Sequence, residues 1–296
     1  MKNIDTLYKY YSNESWKNVF GEWTIRFTPP KDFNDPFECM PYAENIYPEK
    51  ELYNMVECQF ESIINDEYKN GPEIIKIAMT LDKFKSYAYN MYESNIKEQI
   101  LSVCRDKVTP LFLKKMSEFA HRDIGILCLT KNQNNLLMWS HYGNSHKGFN
   151  VGFNINNKLF NKRKNNEDQL RHIREVHYTH KRNIKYLTNI DDISNYILLK
   201  GKIWEYEEEL RMPVYIDEKE DFEWIKQDVC KGICRLPKDA VKSILFGSAM
   251  PEDEIKERCR EIRSQADCDH ILLQRATLHP SDFDIVINPV HESFYM

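Results

Sequence analysis

Glycine is scarce in this chain, with 9 among 296 residues. Neither a G-x-G-x-x-G nor a G-x-x-x-x-G-K-[ST] segment is present, so no glycine-rich loop is available to cradle phosphates. A nucleotide bound here has to be held by other groups. Long apolar runs are missing too: no stretch of roughly 18 apolar residues occurs, and no membrane-spanning helix or membrane partner is expected. Met1-Lys2-Asn3-Ile4-Asp5 lacks the apolar core of a signal peptide, so a reducing, cytoplasmic setting is expected for the 8 cysteines. None of them forms a C-x-x-C pair, and Cys230 and Cys234 have a spacing that fits no common zinc pattern. They read as mostly buried free thiols, and no metal is expected. An excess of positive charge is likewise absent. The net charge of −5 argues against a strongly basic nucleic-acid binder. Lys158, Lys162, Arg163, Lys164, Arg171, Arg174, Lys181 and Arg182 cluster locally, and read as a solvated loop and helix face.

Aromatic rings are plentiful: 17 Tyr, 15 Phe and 5 Trp, enough to supply much of a core and to line a site. Hydrophobic periodicity divides the chain. Leu7–Tyr11 and Trp23–Thr28 alternate as strands, the second stopped by Pro29-Pro30. Trp16, Val19 and Phe20 form a helical turn between them. Residues 48–120 carry apolar positions at helical spacing, punctuated by Pro48, Gly71-Pro72 and Pro110. Three or four helices are expected there, as an insertion or cap and a possible docking place for a partner protein. Strands follow at Gly125–Thr130, Gly148–Phe153 and Arg174–Tyr178, and a helix at Ile193–Leu199. Further strands are expected at Glu209–Tyr215, Ile233–Leu236, Val241–Gly247 and Ile271–Ala276, the last closing the sheet, with a helix at Pro251–Ser264. Pro213 places its strand near an edge or bulge. Strands far outnumber β-α-β crossovers. The predicted fold is therefore α+β, one domain over residues 1–296 with a mainly antiparallel sheet.

Three polar-aromatic segments carry whatever chemistry the chain has. The first, Asp32-Phe33-Asn34-Asp35-Pro36-Phe37-Glu38, is a turn in which Asn34 and Asp35 bond nearby backbone and Pro36 fixes φ. It reads either as a rigid turn pinned by two buried rings or as a pocket wall bearing polar groups. The second, Leu136-Leu137-Met138-Trp139-Ser140-His141-Tyr142-Gly143 followed by His146-Lys147-Gly148-Phe149, is a short helix on the sheet. Gly143 is its expected C-cap and His141 is favoured as a cation at its end. Ser140 and His141 do not face each other on a helix, which weakens a nucleophile reading. The third is Trp204-Glu205-Tyr206-Glu207-Glu208-Glu209-Leu210-Arg211. As a strand it puts Glu207, Glu209 and Arg211 on one face. As a helix it gives an ordinary Glu207–Arg211 pair.

Taken together, Tyr8-Lys9-Tyr10, Phe33-Asn34-Asp35-Pro36-Phe37, Leu137–Tyr142, His146–Phe149 and Trp204-x-Tyr206-Glu207-x-Glu209-x-Arg211 resemble a widespread bacterial domain-of-unknown-function family, over roughly residues 7 to 247. A looser resemblance is to ADP-ribosyltransferases, which carry three strand-borne elements in chain order. Here these are Tyr8-Lys9-Tyr10, Arg26-Phe27-Thr28 and Glu207-x-Glu209. The first strand lacks the family's Arg or His, and Thr28-Pro29-Pro30 stands in place of Ser-Thr-Ser. This resemblance implies an ADP-ribosyltransferase fold and NAD as substrate. Glu209 would stabilise positive charge developing on the ribose and bind a ribose hydroxyl, and Glu207 would orient the acceptor. Tyr10 or Tyr142 would stack on nicotinamide. Arg26, Arg211 or Lys9 would meet phosphate. Tyr8, Thr28, Asn34, Asp35 and His141 complete the implied binding set. The implied role is a transferase or NAD glycohydrolase, a toxin or phage-defence effector whose acceptor is a protein or a nucleic acid. Two other classes compete: a metal-assisted nucleic-acid enzyme or binder, and a non-enzymatic sensor with a closed polar network and no open pocket.

Overall fold

Alternating side chains put Leu7 and Tyr11 on one face of β1 (Thr6–Tyr11) and Tyr8 and Tyr10 on the other. This strand lies in the middle of an eight-stranded sheet in a computed structural model that describes residues 5–40, 42–182, 194–216, 222–225 and 231–295. The other strands along the chain are β2 (Thr24–Arg26), β3 (Ile124–Thr130), β4 (Phe149–Asn154), β5 (Arg174–Glu175), β6 (His177–Thr179), β7 (Leu199–Gly201), β8 (Glu209–Tyr215), β9 (Ile233–Arg235), β10 (Val241–Phe246), β11 (Leu272–Leu278) and β12 (Ile285–Pro289). The large sheet runs β12-β11-β10-β4-β1-β3-β8-β5. It is antiparallel except for β10 and β11, which are parallel and joined through α7 (Glu252–Arg263). Mixed α/β architecture with a large, mostly antiparallel sheet is thus established. Two small sheets, β2-β9 and β6-β7, accompany it.

The chain divides into two compact units. One comprises Met1–Cys39, Phe119–Lys181 and Ile197–Met296; the other Met40–Glu118 and Arg182–Tyr196. The second is helical: α1 (Glu49–Asn70), α2 (Glu73–Ala78), α3 (Leu81–Met91), α4 (Lys97–Val103) and the start of α5 (Thr109–Asp123). Pro48 and Pro72 stand at the N-caps of α1 and α2, and Pro110 lies in the first turn of α5, where a missing N–H costs nothing. Phe60 and Tyr92 pack 4.9 Å apart between α1 and the end of α3. No helix among the described residues is long and apolar enough to cross a membrane.

The sheet unit has a core on each face. On one, Leu7, Leu127, Leu129, Phe149, Val151, Phe153, Leu210, Met212, Val214 and Ile244 meet Trp16, Phe20 and the buried side of α7. On the other, Tyr10, Leu245, Ala276 and Ile285 are covered by Met138 and Trp139 of α6 (Leu136–His141). Four expectations change. Arg174–Tyr178 is not one strand but two, in different sheets. β11 does not close the sheet, because β12 pairs outside it. Of the helix expected at Ile193–Leu199, Ile193 lies outside the described residues, Ser194–Tyr196 are helical, and Leu199 instead opens β7. Gly143 does not take a left-handed C-cap conformation. It is required for room, since a Cβ there would lie 2.6 Å from Trp139 Cε3. Of the seven described cysteines, five are buried and all are free thiols; Cys230 lies outside the described residues.

Phe149 is fully buried, with ring centroids of Tyr11, Trp16 and Phe20 at 5.3, 5.1 and 5.7 Å. Replacing it by Ala removes that ring and leaves a cavity, so urea unfolding is expected to show a loss of about 3–5 kcal/mol. Phe283→Ala, at a fully exposed ring, is expected to stay within about 0.5 kcal/mol of wild type.

Candidate active site

A gap in the sheet makes the site. β1 pairs with β4 over six residues but with β3 at only one position, Tyr8↔Thr130. Further along β3 the same edge is taken by Thr28, whose N–H and carbonyl exchange hydrogen bonds with Ile126 at 2.9 Å each. Between these two contacts lies Cys128, and its carbonyl accepts from Lys9 Nζ at 3.3 Å. The cleft over this gap holds about 390 Å³ and is walled by Tyr8, Lys9 and Tyr10 of β1, Thr28 beyond β2, and Cys128, Leu129 and Thr130 of β3. Asp32, Phe33, Asn34 and Glu38 of the first polar turn, Met138, His141 and Tyr142 of the α6 segment, and Lys200, Glu207 and Glu209 complete it.

Local structure aims these groups. Glu207 ends a 3-10 turn over Lys202–Glu207, Glu208 is left-handed (φ 43°), and β8 begins at Glu209. Neither a continuous strand nor a helix therefore describes the third segment. Only Glu209 and Arg211 share a strand face; the kink at Glu208 brings Glu207 beside them. Asn135 caps α6 by accepting from the Leu137 and Met138 N–H groups, and its own amide donates to the Tyr206 carbonyl at 2.9 Å. The helix end is thereby fastened to the 3-10 turn. Tyr142 OH then donates to Glu207 Oε1 at 2.7 Å and accepts from Asn34 Nδ2 at 3.2 Å. Alongside, His141 Nδ1 and Tyr206 OH lie 2.9 Å apart.

The wall itself carries a buried ionic network, backed by Arg211. Lys200 Nζ reaches Glu38 Oε1 at 3.0 Å, Glu207 Oε2 at 2.5 Å and Glu209 Oε2 at 2.9 Å. Arg211, fully buried, holds Glu209 through Nε at 2.9 Å and Nη2 at 3.0 Å, binds Glu38 through Nη2, and donates to the Ile197 carbonyl at 2.7 Å. Glu209 N–H donates to Tyr178 OH at 2.8 Å. Three carboxylates thus face two cations. Lys9 has no carboxylate within salt-bridge distance among the described residues.

The environment drives the protonation of Glu207 and Glu209 apart. Burial raises the Glu207 pKa above its usual range, although Lys200 pulls it back. Burial acts on Glu209 in the same sense, but Arg211 and Lys200 outweigh it and hold the group down to about 2. Burial would discharge Lys200, yet Glu209, Glu38 and Glu207 keep it protonated, its pKa raised. Burial and Glu207 also raise the Tyr142 phenol, so it stays a donor. Desolvation raises the Cys128 thiol well above its ordinary range, so it is not a thiolate nucleophile. Burial lowers the pKa of the Lys9 ammonium, with Glu209 acting against the shift.

The structure brings Tyr8, Lys9, Tyr10, Thr28, Asn34, His141, Tyr142, Glu207 and Glu209 to one cleft. Three other residues of the sequence-derived set are elsewhere. Arg26 pairs with Asp32 at 2.5 Å, and its guanidinium is not part of the cleft wall. Asp35 is spent on the turn, accepting from Phe37 N–H at 2.9 Å. Arg211 stands behind Glu209. The first turn is not pinned by two buried rings either. Phe37 is exposed, and Glu38 anchors the turn through Lys200 and Arg211. Sequence reasoning gave Glu38 and Lys200 no role in the site. Glu38 lay in a motif and was legible; Lys200 lay in none. Among the described residues no group of three or more His, Cys, Asp or Glu side chains is arranged for a metal ion.

Residues 138–212 match the family described as Protein of unknown function (DUF2971). That segment includes Tyr142, Lys200, Glu207, Glu209 and Arg211, and supports the expected relation to a domain-of-unknown-function family. No curated protein and no solved structure matches the chain.

A carboxyl whose pKa is lower in the folded than in the unfolded state stabilises the fold above its unfolded value and loses that contribution as pH falls. For Glu209 the window runs from the ordinary value of 4.5 down to about 2. Glu207, raised, acts in the opposite sense: its contribution is present at low pH and is lost as pH rises through its folded value. Urea midpoints measured against pH are expected to drop across the Glu209 window in wild type, and that slope is expected to flatten in Glu209→Gln.

Proposed function

We propose that the cleft cleaves the nicotinamide–ribose bond of NAD, as an ADP-ribosyltransferase-like transferase or glycohydrolase. The observation that carries this reading is the pair Glu207 and Glu209, side by side on the cleft wall with their protonation pushed in opposite directions. Two carboxyl groups set apart in this way divide the work of acid–base and electrostatic catalysis. Breaking the bond develops positive charge at the anomeric carbon while nicotinamide leaves as a neutral base. Glu209, held ionised, stabilises that charge. Glu207, with its raised pKa, takes the proton from the attacking water or acceptor group.

Other wall residues fit the same substrate. Tyr8 and Tyr142 offer ring surfaces for nicotinamide. Lys9, the wall cation without a carboxylate partner among the described residues, suits the pyrophosphate. Arg211 acts through Glu209 rather than on the ligand. The finer fold reading belongs to this proposal. The elements that resemble those of ADP-ribosyltransferases, on β1, at Thr28 and at Glu207-x-Glu209, meet at one gap in the sheet, in keeping with that fold. A role as a bacterial toxin or phage-defence effector, with a protein or nucleic-acid acceptor, follows from the same resemblance.

Incubation of the purified protein with NAD is expected to release nicotinamide, read by chromatography. Glu209→Gln is expected to lower kcat by about 10²-fold or more with the fold retained by circular dichroism. The reading fails if wild type releases no nicotinamide with or without protein and nucleic-acid acceptors.

A further inference from the structure

Lys200 lies outside all three motif segments, yet its ammonium occupies the centre of the site. The pairing of β6 with β7 sets Tyr178 opposite Lys200, so one small sheet delivers both the ammonium and the phenol that meet Glu209. The Lys200 side chain is 4% exposed, and its Nζ lies over the Trp204 ring, 5.4 Å from the centroid. An ammonium has three N–H donors. Here three carboxylates, from Glu38, Glu207 and Glu209, stand at 3.0, 2.5 and 2.9 Å from it. The resulting tripod spans the first polar turn, the 3-10 turn and β8.

The two cations are not equivalent. Arg211 contacts Glu38 and Glu209, whereas Lys200 is the only cation among the described residues within salt-bridge distance of Glu207. The groups facing Glu207 are Tyr142 after α6, Tyr206 on its own turn, Tyr178 on β6, Lys200 on β7, and Glu209 on β8, with Glu38 across the ammonium. All but Lys200 are neutral or negative. Without that ammonium, Glu207 faces Glu209 with no cation in contact with it, and it either turns away or takes up a proton. We propose that Lys200 is a positioning residue, whose tripod aims Glu207 into the cleft beside an ionised Glu209. The proposal rests on the reading of these two as the reacting carboxylates.

The test follows the glutamate side-chain carboxyls of the ligand-free, full-length protein by carbon-13 NMR against pH, in wild type, Lys200→Met and Lys200→Met/Glu38→Gln. The double variant removes one charge of each sign and so keeps the site's net charge; it decides the matter if Lys200→Met fails to fold. The Glu207 midpoint is expected to move up in both variants, with Glu209 moving less because Arg211 remains. Nicotinamide release is expected to fall on the order of 10²-fold in kcat. An unmoved Glu207 midpoint with wild-type turnover would overturn the proposal. A moved midpoint in a protein that never cleaves NAD would leave Lys200 in its positioning role and remove the NAD reading alone.

Discussion

Two cations, Lys200 and Arg211, keep three carboxylates inside this protein, and the rest of the site is arranged around that fact. Taking five charges out of water costs several kcal/mol for each ion, which is offset only where every partner is present with good geometry. The five members come from four pieces of local structure: Glu38 from the first polar turn, Lys200 from β7, Glu207 from the 3-10 turn, and Glu209 and Arg211 from β8. Such a network is a poor source of net stability, but it is costly to break one partner at a time. Shifting any of those pieces strands a buried charge. The same contacts that order the fold thus keep the acid pair in a defined arrangement before any ligand enters.

The space for a ligand comes from an incomplete ladder. A strand pair that continued past Tyr8↔Thr130 would fill the gap with main chain; instead β1 turns its pairing toward β4, and Thr28 closes the far end of the β3 edge. The part-buried Cys128 carbonyl left between them needs a donor, and a side chain, Lys9, supplies one. Side chains from both faces of β1 thereby reach one cleft, which strict alternation would forbid. Tyr8 and Tyr10 belong to one face by period; Lys9 belongs to the other and passes through the opening.

Much of this was legible in the sequence, and the parts that were not have physical causes. Strands such as Leu7–Tyr11 and Val241–Gly247 were placed to within a residue or two, because short runs of β-branched, aromatic and other apolar residues suit paired strands. The α6 segment and the acidic segment were recognisable by composition. Their junctions were not. The left-handed residue at Glu208 interrupts what reads as either strand or helix, and no pattern in Trp204–Arg211 announces it. Lys200 follows Ile193–Leu199, whose apolar run suits a helix as well as a strand, and its role depends on partners up to 162 residues away in Glu38 (200 − 38). Arg26 was drawn into the implied site by its place before Thr28, but an acidic neighbour, Asp32, claims it. Long-range pairing of charges has no local signature.

Pro213 adds a consequence for how the molecule meets others of its kind. On its inner side β8 is covered by β3 along its whole length, but β5 reaches only Leu210 and Arg211 on the outer side. Beyond them an open β-edge would invite a strand from another chain. Pro213 carries no amide hydrogen, and its carbonyl is already taken by the Arg171 N–H at 2.8 Å. The strand that bears Glu209 therefore offers an intruding chain nothing to pair with at that point, and the acid-bearing edge is guarded against self-association by its own backbone.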